Sequence, residues 1–252
     1  MYIVLAFLIL STYCMGQDRV LLNNVEKEFI VQKYIKIQAD MDHLKAIHRS
    51  SQNDSLEYNT KVNVHFELMR RIGLNCFEFD STGNYNSDVN IKKLNIEKLK
   101  NQNFDIYSGF IIRSTYFTYK YFIAIDDSGW VFPLDNFWID NFQRFIKKKI
   151  GIIDNSDKAL ETMRIYVATK LYNIGGNGLI VDNGNLDSIK YWYPKLKSIN
   201  TLNSIKCNKI NNKDFNINTY IYFPFFGMLN YYQFYIKEDG DINYQVKTIY
   251  EE

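Results

Sequence analysis

The spacing of apolar residues along the chain predicts three helices. Between residues 24 and 48, apolar side chains recur every three or four positions, as on one face of a helix. The same spacing covers residues 136–149, where three closing lysines suit the negative end of a helix dipole. It also covers residues 160–174, which follow the N-cap candidate Asn155 and end before two glycines. We therefore expect an amphipathic helix in each stretch.

Other stretches carry the residues that strands favour and predict two sets of antiparallel hairpins. Residues 110–125 are rich in aromatic and β-branched residues, and an Asp-Asp-Ser-Gly turn leads from them into a short strand. Residues 219–226 and 231–237 form the second set, followed by an acidic turn and a strand over residues 242–250. Residues 61–72 fit both a helix face and a strand alternation, and the glycine that follows favours a helical end.

The two halves of the chain resemble each other at an offset of 111 residues. Residues 98–106 match residues 209–217 at this offset, and both segments lead into a Phe-x-Ile strand start. The same offset aligns Tyr121 with Tyr232, Ile125 with Ile236, and Gly129 with Gly240. Duplication would explain these matches, and so would chance similarity between segments rich in Asn, Lys, Ile and Tyr.

The order of the elements predicts an α+β fold with antiparallel sheets and helices packed on one side. It also allows two tandem similar modules. We place the first module at residues 17–150 and the second at residues 151–252, packed together without a flexible linker. Residues 1–16 are assigned to a signal peptide.

The N-terminal segment predicts export. Residues 2–10 form an unbroken apolar run, which is too short for a membrane-spanning helix but has the length of a signal-peptide core. With cleavage after Gly16, we expect a secreted or periplasmic protein. A lipid anchor at Cys14 is the alternative, although Tyr13 stands where lipoprotein signals place a small residue. A buried N-terminal strand is a further alternative.

Charge and composition exclude several classes of protein. The chain has 30 basic and 28 acidic side chains, so its formal charge of +2 offers no electrostatic footprint for nucleic acid. Its 12 glycines and 3 prolines are too few for a collagen-like or Pro-rich disordered chain. The 20 tyrosines and 18 phenylalanines agree instead with a folded protein rich in sheet.

The sequence contains no assembled motif for catalysis or metal binding. His43 and His48 are five residues apart and do not share a helix face, and neither Cys-x-x-Cys nor His-Glu-x-x-His occurs. A Gly-x-Ser-x-Gly elbow is also absent. The Gly-rich residues 175–178 follow a helix, whereas a phosphate-binding loop precedes one. We therefore expect no cofactor and no metal site.

Charged clusters fall at the ends of predicted elements. Asp126-Asp127 and Glu238-Asp239 lie in the hairpin turns. Paired carboxylates serve glycoside hydrolysis and bind calcium, but Asp is also common in turns for conformational reasons. We expect both pairs, and the basic residues that end the second helix, to be solvated.

Aromatic residues are the best candidates for ligand binding. Tyr191, Trp192 and Tyr193 precede a proline in a predicted loop, where flat rings can stack on a sugar or grip a protein partner. In the last strand pair, Tyr231 and Tyr235 share a half-polar face that we assign to recognition. Ordinary sheet packing is the alternative for this face.

Cys76 and Cys207 would remain after cleavage of the signal peptide. In an oxidising compartment they could form a disulfide. Two independent buried thiols are the alternative, because the sequence does not show that the two cysteines are close in space.

Taken together, these features predict an exported, non-catalytic protein that binds a protein partner or an envelope component through aromatic sheet or loop surfaces. The first alternative is a glycan-acting hydrolase with dispersed carboxylates, which requires two carboxyl groups that face each other across a cleft. The second is a lipid-anchored structural protein, which would touch the membrane only through Cys14.

Overall fold

The structure is a computed structural model that describes most of the chain. The described residues are 21–48, 89–96, 103–114, 117–134, 139–171, 178–199, 202–224 and 226–250. The proposed signal peptide, residues 61–72 and Cys76 lie outside these ranges.

The first half of the chain contains a long helix and a four-stranded antiparallel sheet. Helix α1 spans Asn24–His48. Sheet 1 has the strand order β1-β2-β3-β4, and in chain order these strands span Val89–Lys93, Phe104–Ser114, Phe117–Asp126 and Val131–Pro133. Helix α2, Ile139–Lys149, follows the sheet.

The second half also begins with a helix, but its sheet has five strands. Helix α3 spans Ser156–Tyr166 and continues as a π-helical segment, Val167–Leu171. Sheet 2 is antiparallel, with the order β5-β7-β8-β9 and with β6 also paired to β7. Its strands span Leu179–Val181, Lys206–Ile210, Asp214–Phe223, Met228–Ile236 and Ile242–Tyr250. Helix α4, Leu186–Trp192, and a 3-10 helix, Pro194–Ser198, are inserted between β5 and β6.

These elements confirm the predicted α+β fold with antiparallel sheets. Asn155 caps α3, because its side-chain oxygen accepts a hydrogen bond from the backbone N–H of Lys158 at 3.0 Å. Gly129 and Gly240 close the two acidic turns with φ angles of +86° and +87°, a conformation that favours glycine. The division into modules at residue 150 stays a prediction, and one hydrophobic core contains residues from both sides of it.

Three hydrophobic clusters hold the layers together. Helix α1 covers one face of sheet 1, where Ile30, Val31 and Ile35 pack with Tyr107 and Ile123. The opposite face of sheet 1 shares a second cluster with α2, α3 and one face of sheet 2; we call these two sheet faces the inner faces. The third cluster lies on the outer face of sheet 2, beneath α4 and the 3-10 helix.

The second cluster is organised by aromatic rings that meet edge to face. The Phe145 ring of α2 packs on Phe104 of β2 with centroids 5.0 Å apart. Phe142 of the same helix meets Tyr166 of α3 at 5.5 Å, and Tyr166 in turn meets Phe234 of β8 at 6.2 Å. A chain of such contacts therefore leads from sheet 1 to sheet 2 through the two helices.

The predicted repeat corresponds to the structure in the last hairpin of each sheet but not in the hairpin before it. The β3–β4 and β8–β9 pairings agree with an offset of 111 in both strands. In the preceding hairpin, Phe104 lies opposite Asp126, whereas Phe215 lies opposite Ile236 and not the residue after it. Because of this shift, Phe104 faces away from α1, the helix that precedes sheet 1. Phe215 instead faces α3, the helix that precedes sheet 2. Common descent of the halves stays a prediction.

The first acidic turn is not solvated, contrary to expectation. Asp126 is only 3% exposed. Its carboxylate accepts hydrogen bonds from the backbone N–H groups of Ser128 and Trp130, at 2.9 and 2.8 Å, and forms an ion pair with Lys149 at 2.5 Å. Burial alone would raise the pKa of Asp126, but these donors outweigh it and hold the pKa below its usual range.

A second ion-pair cluster ties α1 to sheet 1. The Lys27 ammonium lies 2.8 Å from the Asp105 carboxylate and 2.6 Å from that of Asp127, and Lys93 binds the other oxygen of Asp105 at 2.6 Å. Although burial opposes its charge, the two carboxylates raise the pKa of Lys27. Ion pairs therefore join the last turn of α2 and the first turn of α1 to sheet 1 and to the turn that follows β3. By contrast, Glu238 and Asp239 of the second turn are exposed, as expected.

We expect Lys149→Met to lower the free energy of unfolding by about 3 kcal/mol, because it leaves the Asp126 carboxylate buried without its cation. Chemical denaturation at neutral pH measures this loss. Lys147→Gln is the matched control: Lys147 is exposed on the same turn of α2, and its replacement should change stability by less than about 0.5 kcal/mol. Equal effects of the two variants would contradict the importance of the buried pair.

The ion pair also predicts a dependence of stability on pH. Because the pKa of Asp126 is lower in the folded chain than in the unfolded chain, its contribution is complete above the unfolded pKa, near about 4, and is lost as the pH falls through the folded pKa. Denaturation series between pH 7 and low pH should therefore fall more steeply for the natural chain than for Asp126→Asn. Parallel series would argue against this ionisation.

Candidate binding surface

The outer face of sheet 2 carries two of the predicted site residues. From Asn230 to Ile236 of β8, burial alternates, as a strand with one face on the core requires. Tyr231 and Tyr235 are half-buried on the outer face, together with Gln233 between them. Tyr232 and Phe234 point into the shared core. The sequence therefore predicted correctly which β8 residues share a face.

The neighbouring strands extend this face with amide side chains. Strand pairing sets β8 residues beside residues of β7 and β9 in three rows: Tyr220, Tyr231 and Lys247; Asn218, Gln233 and Gln245; Asn216, Tyr235 and Asn243. We call these nine residues the amide–tyrosine face. Eight of them are uncharged and one is a lysine, and Lys206 of β6 lies beside Asn218 on the same face. Hydrogen-bonding groups and flat rings therefore outnumber charges on this face.

Two amides on this face have an oxygen without a donor. The side-chain oxygens of Asn216 and Asn218 are shielded from solvent, and neither accepts a hydrogen bond within the part of the chain that the structure describes. A buried oxygen without a donor is unfavourable, so a turn of either side chain that brings its oxygen to the surface would be favoured.

Tyrosine rings form the border between the open and the covered part of the outer face. The rings of Tyr220 and Tyr231 lie 5.4 Å apart with an interplanar angle of 57°. Beside them, the Tyr193 ring packs edge to face on Tyr222 at 5.1 Å, as part of the third hydrophobic cluster. Tyr193 thus anchors the cover of the sheet and is less available to a ligand than the sequence predicted.

Tyr191 and Trp192 lie on a helix and not in the predicted loop. They occupy the last turn of α4, are 77% and 74% exposed, and pack on each other with ring centroids 5.2 Å apart. The loop prediction was wrong because α4 has only seven residues and buries only Leu186 fully, which is too little for a recognisable helical period. In the described residues, no ring contact joins this pair to Tyr231 or Tyr235.

A polar turn fixes the start of α4. The Asp182 carboxylate accepts hydrogen bonds from the backbone N–H groups of Gly184 and Asn185 at 2.8 and 3.2 Å. The Asn185 side chain returns a contact by accepting from the Asp182 N–H at 2.9 Å. This exchange ties the helix to the end of β5 and thereby sets where the Tyr191–Trp192 pair is presented.

The proposed disulfide stays a prediction. Cys207 lies half-buried on β6, with its sulfur 4.0 Å from the carbonyl oxygen of Ser156. Burial raises the pKa of the Cys207 thiol. Its proposed partner, Cys76, is outside the described residues.

The buried carboxylates of sheet 1 do not have the electrostatics of a catalytic acid. Burial would raise the pKa of Asp105, but hydrogen bonds from Lys27 and Lys93 lower it, and the pKa of Asp126 is lowered too. A glycosidase needs one carboxyl group with a raised pKa that can give its proton near neutral pH. Neither residue meets this requirement.

The sequence reasoning missed the amides of β7 and β9. The signal was present, because Asn216 and Asn218, and likewise Asn243 and Gln245, alternate with other residues as outward positions of a strand do. Their common face became visible only from the strand pairing.

Comparison with protein families, with curated proteins and with solved structures finds no match to this chain. The surface is therefore interpreted from its own geometry. In the described ranges, no helix combines the length and the apolar character needed to cross a membrane.

We expect Tyr193→Ala and Trp192→Ala to differ in their effect on stability. Tyr193→Ala removes packing on Tyr222 and should lower the free energy of unfolding by about 2 kcal/mol. Trp192→Ala removes an exposed ring and should change it by less than about 0.5 kcal/mol. Urea denaturation measures both, and an equal loss in the two variants would refute the assignment of Tyr193 to the cover.

Proposed function

We propose that this chain is an exported, non-catalytic binding protein that recognises an envelope or extracellular component through the amide–tyrosine face. The observation that carries the proposal is the array of amide side chains around Tyr231 and Tyr235, on the open part of a sheet whose other face is filled by core residues. A sheet face that only packs against other parts of the chain would not require so many hydrogen-bonding groups.

The chemistry of this face suits a ligand with hydroxyl or amide groups and flat apolar surfaces. Each Asn or Gln side chain offers both donors and an acceptor, so neighbouring amides can bind a sugar hydroxyl or a peptide group at two points. Tyrosine rings contribute apolar area at a small cost in conformational entropy. Lys247 within this face and Lys206 at its edge are outnumbered by eight uncharged groups, so affinity depends mainly on hydrogen bonds and ring contacts.

The exposed Tyr191–Trp192 pair supports the same function. Helix α4 covers one part of the outer face, so a large ligand on the amide–tyrosine face meets this helix at its border. Exposed aromatic pairs are typical anchors of binding interfaces. The hydrolase alternative gains no comparable support, since Asp105 and Asp126 are held ionised by lysines.

Export rests on the apolar run at residues 2–10 and is part of the proposal. Intact-mass analysis of the protein from its natural source should give a mature chain that begins at Gln17. Cys14→Ser should then leave its localisation unchanged. A mature N-terminus at Cys14 with an added lipid mass would replace secretion by lipid anchoring, and an uncleaved chain would contradict export.

Removing the two tyrosine rings should weaken binding. We expect the purified chain to bind saturably to isolated envelopes of the producing cells, and Tyr231→Ala with Tyr235→Ala to lower the affinity by about tenfold or more. Ile152→Ala, which removes an exposed apolar side chain elsewhere, is the control and should bind like the natural chain. Sedimentation of the envelopes with labelled protein measures the affinity of the natural chain, of the double tyrosine variant and of the control.

The salt dependence separates this mode from charge-driven adsorption. Because the nine residues of the amide–tyrosine face include one charge, Lys247, with Lys206 beside them, affinity should fall by less than about threefold between about 0.05 and 0.5 M salt. Binding that disappears with added salt, or that is the same in the tyrosine variant and the natural chain, would overturn the assignment of this face.

A further inference from the structure

A cleft of about 640 Å³ opens between the edge strands of the two sheets. Its floor is the inner face of sheet 1 beyond the aromatic core. There, strand pairing places Lys92 of β1 beside Ser108 of β2, and Phe110 of β2 beside Lys120 of β3. The opposite wall comes from the π-helical segment after α3 and from the start of β5. A volume of this size holds one small organic molecule.

Among the described residues, the charged side chains at the cleft are lysines. Of the described residues that line it, three are lysines and none carries a carboxylate. Lys93 is neutralised by Asp105, at 2.6 Å on the other face of β1. Lys92 and Lys120 lie on the face that forms the floor, and Lys92 is exposed there.

Lys120 is held partly out of water. Its ammonium lies 5.6 Å from the centre of the Phe122 ring, two residues along the same face. Burial lowers the pKa of Lys120. A cation that has lost part of its hydration, in a site of low polarity, interacts with an anion more strongly than an exposed lysine does.

Apolar side chains complete the lining. Phe110 is 39% exposed beside Lys120, and Val167 adds aliphatic surface from the opposite wall. Val167 begins a π-helical segment, and such segments are rare and frequently occur at functional sites. Cations next to an open aromatic ring suit a ligand that is charged at one end and apolar at the other.

We propose that this cleft binds a small organic anion with an apolar body, whose acidic head contacts Lys92 and Lys120 and whose body packs on Phe110. The head group is a carboxylate or a phosphate, since both pair with lysine. This site is distinct from the amide–tyrosine face on the outer side of sheet 2, and the inference does not depend on the function proposed for that face.

The test uses the full-length chain and the fluorescent anion 1-anilinonaphthalene-8-sulfonate. We expect one saturable site whose affinity falls by about threefold in Lys92→Gln and by about tenfold in Lys92→Gln with Lys120→Gln. Lys147→Gln, an equal loss of charge on the exposed side of α2, is the control and should bind the probe like the natural chain. Near-ultraviolet circular dichroism verifies the fold of each variant, and Lys92 is exposed, so its single replacement leaves the core intact.

Competition identifies the head group. Laurate or dodecyl phosphate should displace the probe, and whichever displaces it at the lower concentration gives the natural head group, whereas dodecanol should not displace it. The proposal is overturned if the probe binds the double lysine variant as tightly as the natural chain, if no saturable site is found, or if dodecanol competes as well as laurate.

Discussion

The edge-to-face contact between Phe142 and Tyr166 couples the two sheets, and both candidate sites follow from it. Helix α2 reaches sheet 1 through Phe145 on Phe104, and α3 reaches sheet 2 through Tyr166 on Phe234. Because the two helices and their rings fill the space between the sheets, apolar packing covers most of both inner faces. The rows of amide side chains on sheet 2 lie on its outer face, and the cleft opens where this filling ends.

The alternation of side chains along the strands determines the chemistry of each surface. On β8, a shift of one residue would exchange Tyr231 and Gln233 for the buried Tyr232 and Phe234. The two halves of the chain illustrate this sensitivity, since the β2–β3 and β7–β8 hairpins differ in register by one residue despite a constant offset in sequence. Similar sequences in the two halves therefore do not imply similar surfaces.

The sequence was sufficient for features that depend on local periodicity. It predicted the bounds of α1, the last strand, the two glycine turns and the inward and outward faces of β8, because each is set by residues close together in the chain. It did not predict that Asp126 is buried in an ion pair with Lys149, or that Lys27 is buried in an ion pair with Asp105. These pairs are 23 and 78 residues apart and form only when helices and sheet are packed.

The same limit applies to the two candidate sites, and it explains why only one was found from the sequence. Tyr231 and Tyr235 are neighbours on a single strand, so their shared face follows from a period of two. Lys92 and Lys120 lie on separate strands. They share a face only because β2 lies between them and pairs Ser108 with Lys92 and Phe110 with Lys120. Each lysine alone resembles an ordinary surface cation, but in the fold both line one cleft with Phe110, opposite the π-helical wall. Function that depends on the packing of two sheets is therefore invisible to any analysis of one segment at a time.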